Sequence, residues 1–549
     1  MVSAAAVSWS AWWEDNKDDV LADAERVAAR SRPSSGHLTG RGRRESRLGT
    51  ARPDADQVHS VVLPSLLDVV GSSDDGQLVA AALLAAGRSA TGADAELVGE
   101  RCLQLLRHHD QSVQATAALT LGVLRQPQHR ALLESLLYCQ PEGHKAVGDS
   151  SVPWRVRAMS ALALGLLGQP ESAQALTAFI DRQGLVDSDT LVCSILALGL
   201  AGEPGQGVAY DYLVELLDAR GLSDLERSFV PSALAKLGDR RAIAPLCRLL
   251  EDSTTDNRVT QSCALALGAL ASIEDQQAVD VLTEVTKGGH DVSTRNFSLI
   301  GLGRLGARDT DPLAHPKQHA ALLKLLTKEA LKPSQESNRS WAALGLALYA
   351  HAQRSTPAAV LEAVSDAYER ERDPAFKGAA ALGLGLLRVR GLGAQLHHDL
   401  LEPGDEDFRG YACVALGLMG YTEAAPTLRA ICADKAASAA LRLQAARGLG
   451  LMRDAEAVPA LVGLLGDGGT SLTRTALAQA LGVSGDKAAI PSLRDMAQDD
   501  SLQESTRAAA CLALGMVGQR ERRPWFMELR ADLNYLSDAA ILDFLSDML

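Results

Sequence analysis

One short phrase, written over and over, decides what this chain folds into. LALGLLG at 162–168 returns as LALGLAG at 196–202, LALGALA at 265–271, VALGLMG at 414–420, QALGVSG at 479–485 and LALGMVG at 512–518. With the glycine or its equivalent as a marker, the copies fall at Gly87, Gly122, Gly165, Gly199, Ala235, Gly268, Gly303, Gly345, Gly385, Gly417, Gly450, Gly482 and Gly515, spaced 32 to 43 residues apart. Self-similarity at such a period means stacked supersecondary units, because no single unit hides its apolar face alone. At 549 residues the chain is too long for one core. An array solves that by lengthening.

The period fits two helices and two turns. RVRAMSALALGLLG reads as one helix with Ala and Leu at three and four spacing, stopped at Gly168 and kept from continuing by Pro170. ESAQALTAFI then offers Ala173, Leu176, Phe179 and Ile180 as the inner side of a second helix. Hydrophobic residues make up 47% of the chain but aromatics only 4%, so the apolar material is small. A glycine inside a helix costs about 1 kcal/mol relative to alanine. Its return in nearly every copy implies that neighbouring helices approach closely there.

This pattern resembles the bacterial HEAT-like repeat family, whose units run from an acidic turn through Val-Arg and Ala-Ala-x-Ala-Leu-Gly-x-Leu-Gly to a short second helix often opened by proline. Pro245, Pro426, Pro459 and Pro491 stand nine or ten residues after a marker, where a helix start tolerates proline. The resemblance covers about 57–520 and implies an all-α fold: an α-solenoid superhelix of about thirteen two-helix repeats. It says little of function, because such arrays host many roles. The opening WSAWWEDNKDDVL is similar to that of large HEAT-repeat proteins of planctomycete-type bacteria.

The expected organisation is a Trp-containing helix at 1–25, a basic flexible linker at 26–56, the array at 57–520 and capping helices at 521–549. Charge divides the same way: −5 over residues 1–25, +7 over 26–53 and −16 over the rest. A body this acidic argues against nucleic-acid binding. Trp9, Trp12, Trp13 and Val20 share one side of the first helix, which either docks on the first repeats or anchors a partner. At the far end Trp525, Phe526, Leu529 and Leu533 face inward as a cap, and the whole is expected to be elongated.

Eight residues before the marker stands a basic ladder: Arg157, Arg227, Arg295, Lys377, Arg409, Arg442, Arg474 and Arg507. The family resemblance implies pairing with acids or carbonyls of the turns; the other reading is an anion-binding stripe. Three long spacings mark insertions. The most distinctive, residues 138–154, carries Tyr138, His144, Lys145 and Trp154, and reads either as a tolerated surface loop or as part of a binding surface, where such insertions gather.

GLGRLG, with Gly301, Gly303 and Gly306, matches a dinucleotide fingerprint by letter but sits where a repeat helix is expected rather than after a strand. His315 and His319 stand four apart, with Pro316 between and no following glutamate. The eight cysteines lack paired spacing, and no stretch is long and apolar enough to span a membrane. The sequence therefore reads as a non-catalytic, cytoplasmic, monomeric scaffold for other proteins or peptides, without cofactor or metal. The alternatives are a bilin-lyase-like enzyme and a HEAT-like DNA glycosylase.

Overall fold

The computed structural model describes residues 9–30 and 52–547, apart from 183–186, 206, 310–313, 352, 354–355, 453, 455, 467–469, 520–524 and 538. The acidic turns of the sequence are helix caps. Asp75, Asp110, Asp187, Asp256, Asp291, Asp373 and Asp405 each accept a backbone N–H from the first turn of the helix that follows, satisfying donors that a helix leaves orphaned. At the other end Gly168 turns left-handed at φ +62° and stops its helix.

Helix α1 is Trp9–Arg30. The marker-bearing helices are α2 (Gly76–Ser89), α3 (Gln111–Val123), α4 (Trp154–Leu167), α5 (Ser188–Ala201), α6 (Asp224–Leu237), α7 (Asn257–Leu270) and α8 (Val292–Arg308). The series continues with α9 (Asn338–His351), α10 (Pro374–Leu386), α11 (Glu406–Met419), α12 (Ala439–Met452), α13 (Ser471–Ser484) and α14 (Glu504–Gly518). Two helices follow, α15 (Trp525–Arg530) and α16 (Ala540–Asp547). Each marker-bearing helix packs on the next, and an outer layer of second helices, from Leu63–Ser72 to Ile490–Gln498, fills the grooves between them.

All the marker glycines but Gly450 are contact points. A Cβ on Gly165 would stand 2.7 Å from Ala197 Cα, and one on Gly385 2.7 Å from Ala415 Cα. The GLGRLG glycines lie inside α8: a Cβ on Gly301 would come within 2.9 Å of Ala264 O, and Gly306 faces Leu322 and Tyr349. They serve helix packing.

The array does not end in water. Helix α14 packs on α2 as any neighbour does: a Cβ on Gly515 would lie 2.7 Å from Ala85 Cβ, and Ser89 Oγ donates to Gly515 O at 3.4 Å. Arg88 donates to Gln519 Oε1 at 2.9 Å, and in the outer layer Gln498 donates to Asp68 Oδ2 at 3.1 Å. The repeats start with a second-type helix, Leu63–Ser72, and finish with a first-type helix, α14, so each supplies what the other lacks. The expected elongated superhelix is therefore a closed ring of thirteen marker-bearing helices. The C-terminal helices, expected over an exposed end, have no end to cover. Helix α1 runs on to Arg30 and helix resumes at Ala55; most of the linker expected at 26–56 lies outside the described residues.

Candidate interaction surface inside the ring

A segment that touches many members of a closed ring lies within it. Helix α1 reaches α8, α10, α11 and α12, while the C-terminal segment reaches α2 and α4 through α8. Both fill the lumen.

Trp9 enters a slot where Nε1 donates to Ala375 O at 2.6 Å, the ring leans on Tyr411 with centroids 4.6 Å apart, and Cζ2 rests against Gly378. Trp12 and Trp13 are 0% and 1% exposed. Asn16 ties its own helix to the C-terminal segment by donating to Trp12 O at 2.8 Å and accepting from Asp532 N at 3.0 Å.

Along α1 the acids meet cations. Glu14 accepts from Gln444 at 3.0 Å and from Arg447 at 3.2 Å. Burial pushes the Glu14 carboxyl up, but Lys17 and Arg447 bring it down to about 2. Asp15 pairs with Arg530, yet burial prevails and its carboxyl lies above the usual range. Arg304 bridges Asp19 on α1, 3.5 Å away, and Asp532 on the C-terminal segment. Lys236 donates to Glu528 O at 2.8 Å and Ala531 O at 3.0 Å, and burial, against the pull of Asp19 and Glu528, lowers its amine to about 7. Arg88 stands 4.6 Å over the Phe526 ring; burial, partly offset by Asp18, lowers it to about 10.

Further on, Asn534 donates to Arg258 O and Gln261 Oε1, both at 3.1 Å, and Tyr535 meets Phe297 edge-on at 5.5 Å. Ile541 N donates to Asp189 Oδ1 at 3.0 Å. Phe544 lies against Arg155, which also covers Trp154.

Of the residues singled out from sequence, Trp9, Trp12 and Trp13 are thus not exposed anchors, and they dock far along the ring rather than on the first repeats. Three large indoles are better buried against the wall than left in water. Tyr138, His144, Lys145 and Trp154 sit elsewhere, around the short helix Pro141–Val147. Tyr138 Oη donates to Ala175 O at 2.7 Å, and His144 Nε2 stands 3.1 Å from Cys139 Sγ. Lys145 and Trp154 stay exposed. His315 and His319 both reach Asp309, at 2.8 and 3.2 Å, and His319 also meets Tyr349 Oη at 2.7 Å.

Three residues of the ladder cap helix ends. Arg157, Arg409 and Arg507 each donate Nε to a carbonyl at the end of the preceding outer helix: Leu137 O at 3.1 Å, Leu400 O at 3.2 Å and Ala497 O at 3.0 Å. Arg295 donates to His290 O, Arg227 pairs with Asp224, and Lys377 lies 2.7 Å from Asp399. Arg474 helps Ser501 hold the Asp499 carboxyl low. Arg442 is buried with Nε and Nη1 unpartnered.

Sequence reasoning missed the lumen cations, though a signal existed. The residue after the marker is apolar in ten copies and is Arg88, Lys236 or Arg304 in three.

A HEAT-repeat model matches residues 102–189, 393–482 and 434–515, and a PBS lyase HEAT-like repeat model matches 232–252, less than one period. No curated protein matches the sequence. Among solved structures, importin beta is 12% identical with a TM-score of 0.41, the match covering 85% of this chain and 66% of that one. Human deoxyhypusine hydroxylase is 19% identical with a TM-score of 0.24, over 58% of this chain and 98% of that one. A homology model of the AP-3 complex is 12% identical with a TM-score of 0.33, over 87% and 92%. At these scores none of them bears on function.

Proposed function

We propose, from the premise that this chain is a HEAT-repeat α-solenoid, that it serves as a non-catalytic scaffold binding other proteins or peptides. One observation carries the reading: the ring wall already holds a helix, α1, by an aromatic slot and ion pairs drawn from helices far apart in sequence. A repeat wall that seats one helix with side-chain specificity has the chemistry to seat a partner's. Tyr138, His144, Lys145 and Trp154 at the insertion are a second candidate contact area, with Lys145 and Trp154 exposed. The scaffold acts as a cytoplasmic monomer.

Affinity capture of the full chain from its native cell, with cross-linking before mass spectrometry, tests this. A stoichiometric protein cross-linked to the lumen or to the insertion is expected. Recovery of a small-molecule product, or no partner at any stoichiometry, sinks the reading.

A further inference from the structure

The seat that α1 occupies differs from the rest of the wall, and its chemistry specifies a ligand. Where ten copies place an apolar side chain, three helices put a cation into the lumen. Arg304 and Arg447 line the seat, Arg530 joins them from the C-terminal segment, and opposite stand Glu14, Asp15 and Asp19. This positive lining belongs to a body of charge −16, so an acidic segment is attracted to the lumen and repelled elsewhere. Beside it lies the Trp9 slot, which requires a glycine: a Cβ on Gly378 would come within 2.9 Å of the indole.

The fit is specific but not saturated. The indole N–H groups of Trp12 and Trp525 are buried without acceptors, and several paired charges are stripped of water, so the seat carries costs that a core would not.

We infer that this seat binds an acidic helix of a partner protein, with aromatic residues at i, i+3 and i+4 followed by carboxylates, and that α1 is a resident copy of that ligand held in cis. The inference rests on the scaffold reading and names its partner's chemistry. Because α1 and the ring belong to one chain, its docking is intramolecular and a separate partner helix competes at a disadvantage. A partner helix displaces it only when presented in several copies or after the tether is cut.

The test places a protease site within 31–51 of the full chain and titrates a fluorescent peptide of residues 8–25. After cleavage and removal of the released α1, the chain binds the peptide; the uncut chain binds at least about 100-fold more weakly. A peptide carrying Trp9→Ala, Trp12→Ala and Trp13→Ala does not bind, and raised salt weakens the parent peptide. Arg447→Glu weakens it too, and a Glu14→Lys peptide recovers binding to that variant. Peptide variants leave the ring untouched, and a cleaved ring that keeps its helical circular dichroism and melting transition excludes collapse of the emptied lumen as the cause of a negative result.

Absent binding to a ring freed of α1, or binding indifferent to the tryptophans and the charge swap, overturns the inference. So do cross-links in the uncut sample from α1 of one copy to α12 of another, which would make a second copy the occupant. A peptide failure alongside a cellular partner cross-linked to the outer surface leaves the scaffold reading standing and removes only this one. Peptide binding without any cellular partner removes the scaffold reading and, with it, the partner assigned to this seat.

Discussion

The wall of the ring and the segments inside it are held by opposite chemistry. Wall helices meet through Ala, Gly and Leu, with backbones so close that a single Cβ at Gly165 or Gly515 finds no room. The inner segments meet the wall through tryptophans, ion pairs and carbonyl-bound cations, and leave indole donors unmet. Close apolar contact is strong and repeats easily, but any similar helix satisfies it. Desolvated charges add little net stability and a great deal of selectivity. The wall therefore sets shape, and the lumen sets which helix belongs there.

The largest expected effect lies in the lumen's apolar part. Trp12→Ala removes a fully buried indole and costs the docking of α1 about 3–5 kcal/mol. Hydrogen exchange should show α1 losing protection while α4 to α7 keep theirs. Simultaneous loss across the wall would mean that the two regions are one cooperative unit.

Gly515→Val attacks the wall at its closure, where the added carbon meets Ala85, and is expected to cost about 1–3 kcal/mol. Small-angle scattering should report a larger radius of gyration. An unchanged radius with unchanged stability would show that the ends do not meet in solution.

Lys236 separates the regions by pH. Its amine lies near 7 in the folded chain against 10.5 when free. Below about 7 both states hold the proton; between 7 and 10.5 the released state holds more, so docking of the C-terminal segment strengthens as pH rises. Denaturation at pH 7 and pH 9.5 should show that rise, and Lys236→Met should remove it. At the acid end Glu14, held near 2, stabilises docking above 4.5 and loses that contribution as pH falls towards 2.

Two smaller changes sharpen the picture of the wall. Arg409→Ala removes a charged donor from Leu400 O and should cost about 1 kcal/mol, while Arg442→Ala, whose Nε and Nη1 have no acceptors, should cost less. Gly450 is the marker with open space around it, so Gly450→Ala should gain about 1 kcal/mol where alanine at Gly165 loses stability. Equal melts for each pair would mean that the contacts seen here do not govern wall stability.

The repeat made the wall legible. Period, helix starts at aspartate, stops at Gly168 and the role of the marker glycines all follow from local sequence, because caps, turns and helix packing within a repeat are short-range. The ladder's spacing was legible, but the carbonyls met by Arg157, Arg409 and Arg507 were visible only once the outer helices were placed.

Closure was half legible. A chain that opens its repeats with a second-type helix and ends them with α14 has two unmatched halves, but sequence carries no measure of the small rotation between repeats that decides whether those halves meet. The lumen was least legible. Trp9 to Trp13 read either as a dock on the first repeats or as a partner's anchor, and Arg88, Lys236 and Arg304 went unremarked on otherwise apolar helices. Sequence by itself determined the repeat unit, its faces and its count, since each depends on residues a few positions apart. Only the tertiary structure decided that the array is a ring and that α1 fills it, because ring curvature sums over all thirteen repeats and the lumen's cations converge from positions hundreds of residues apart.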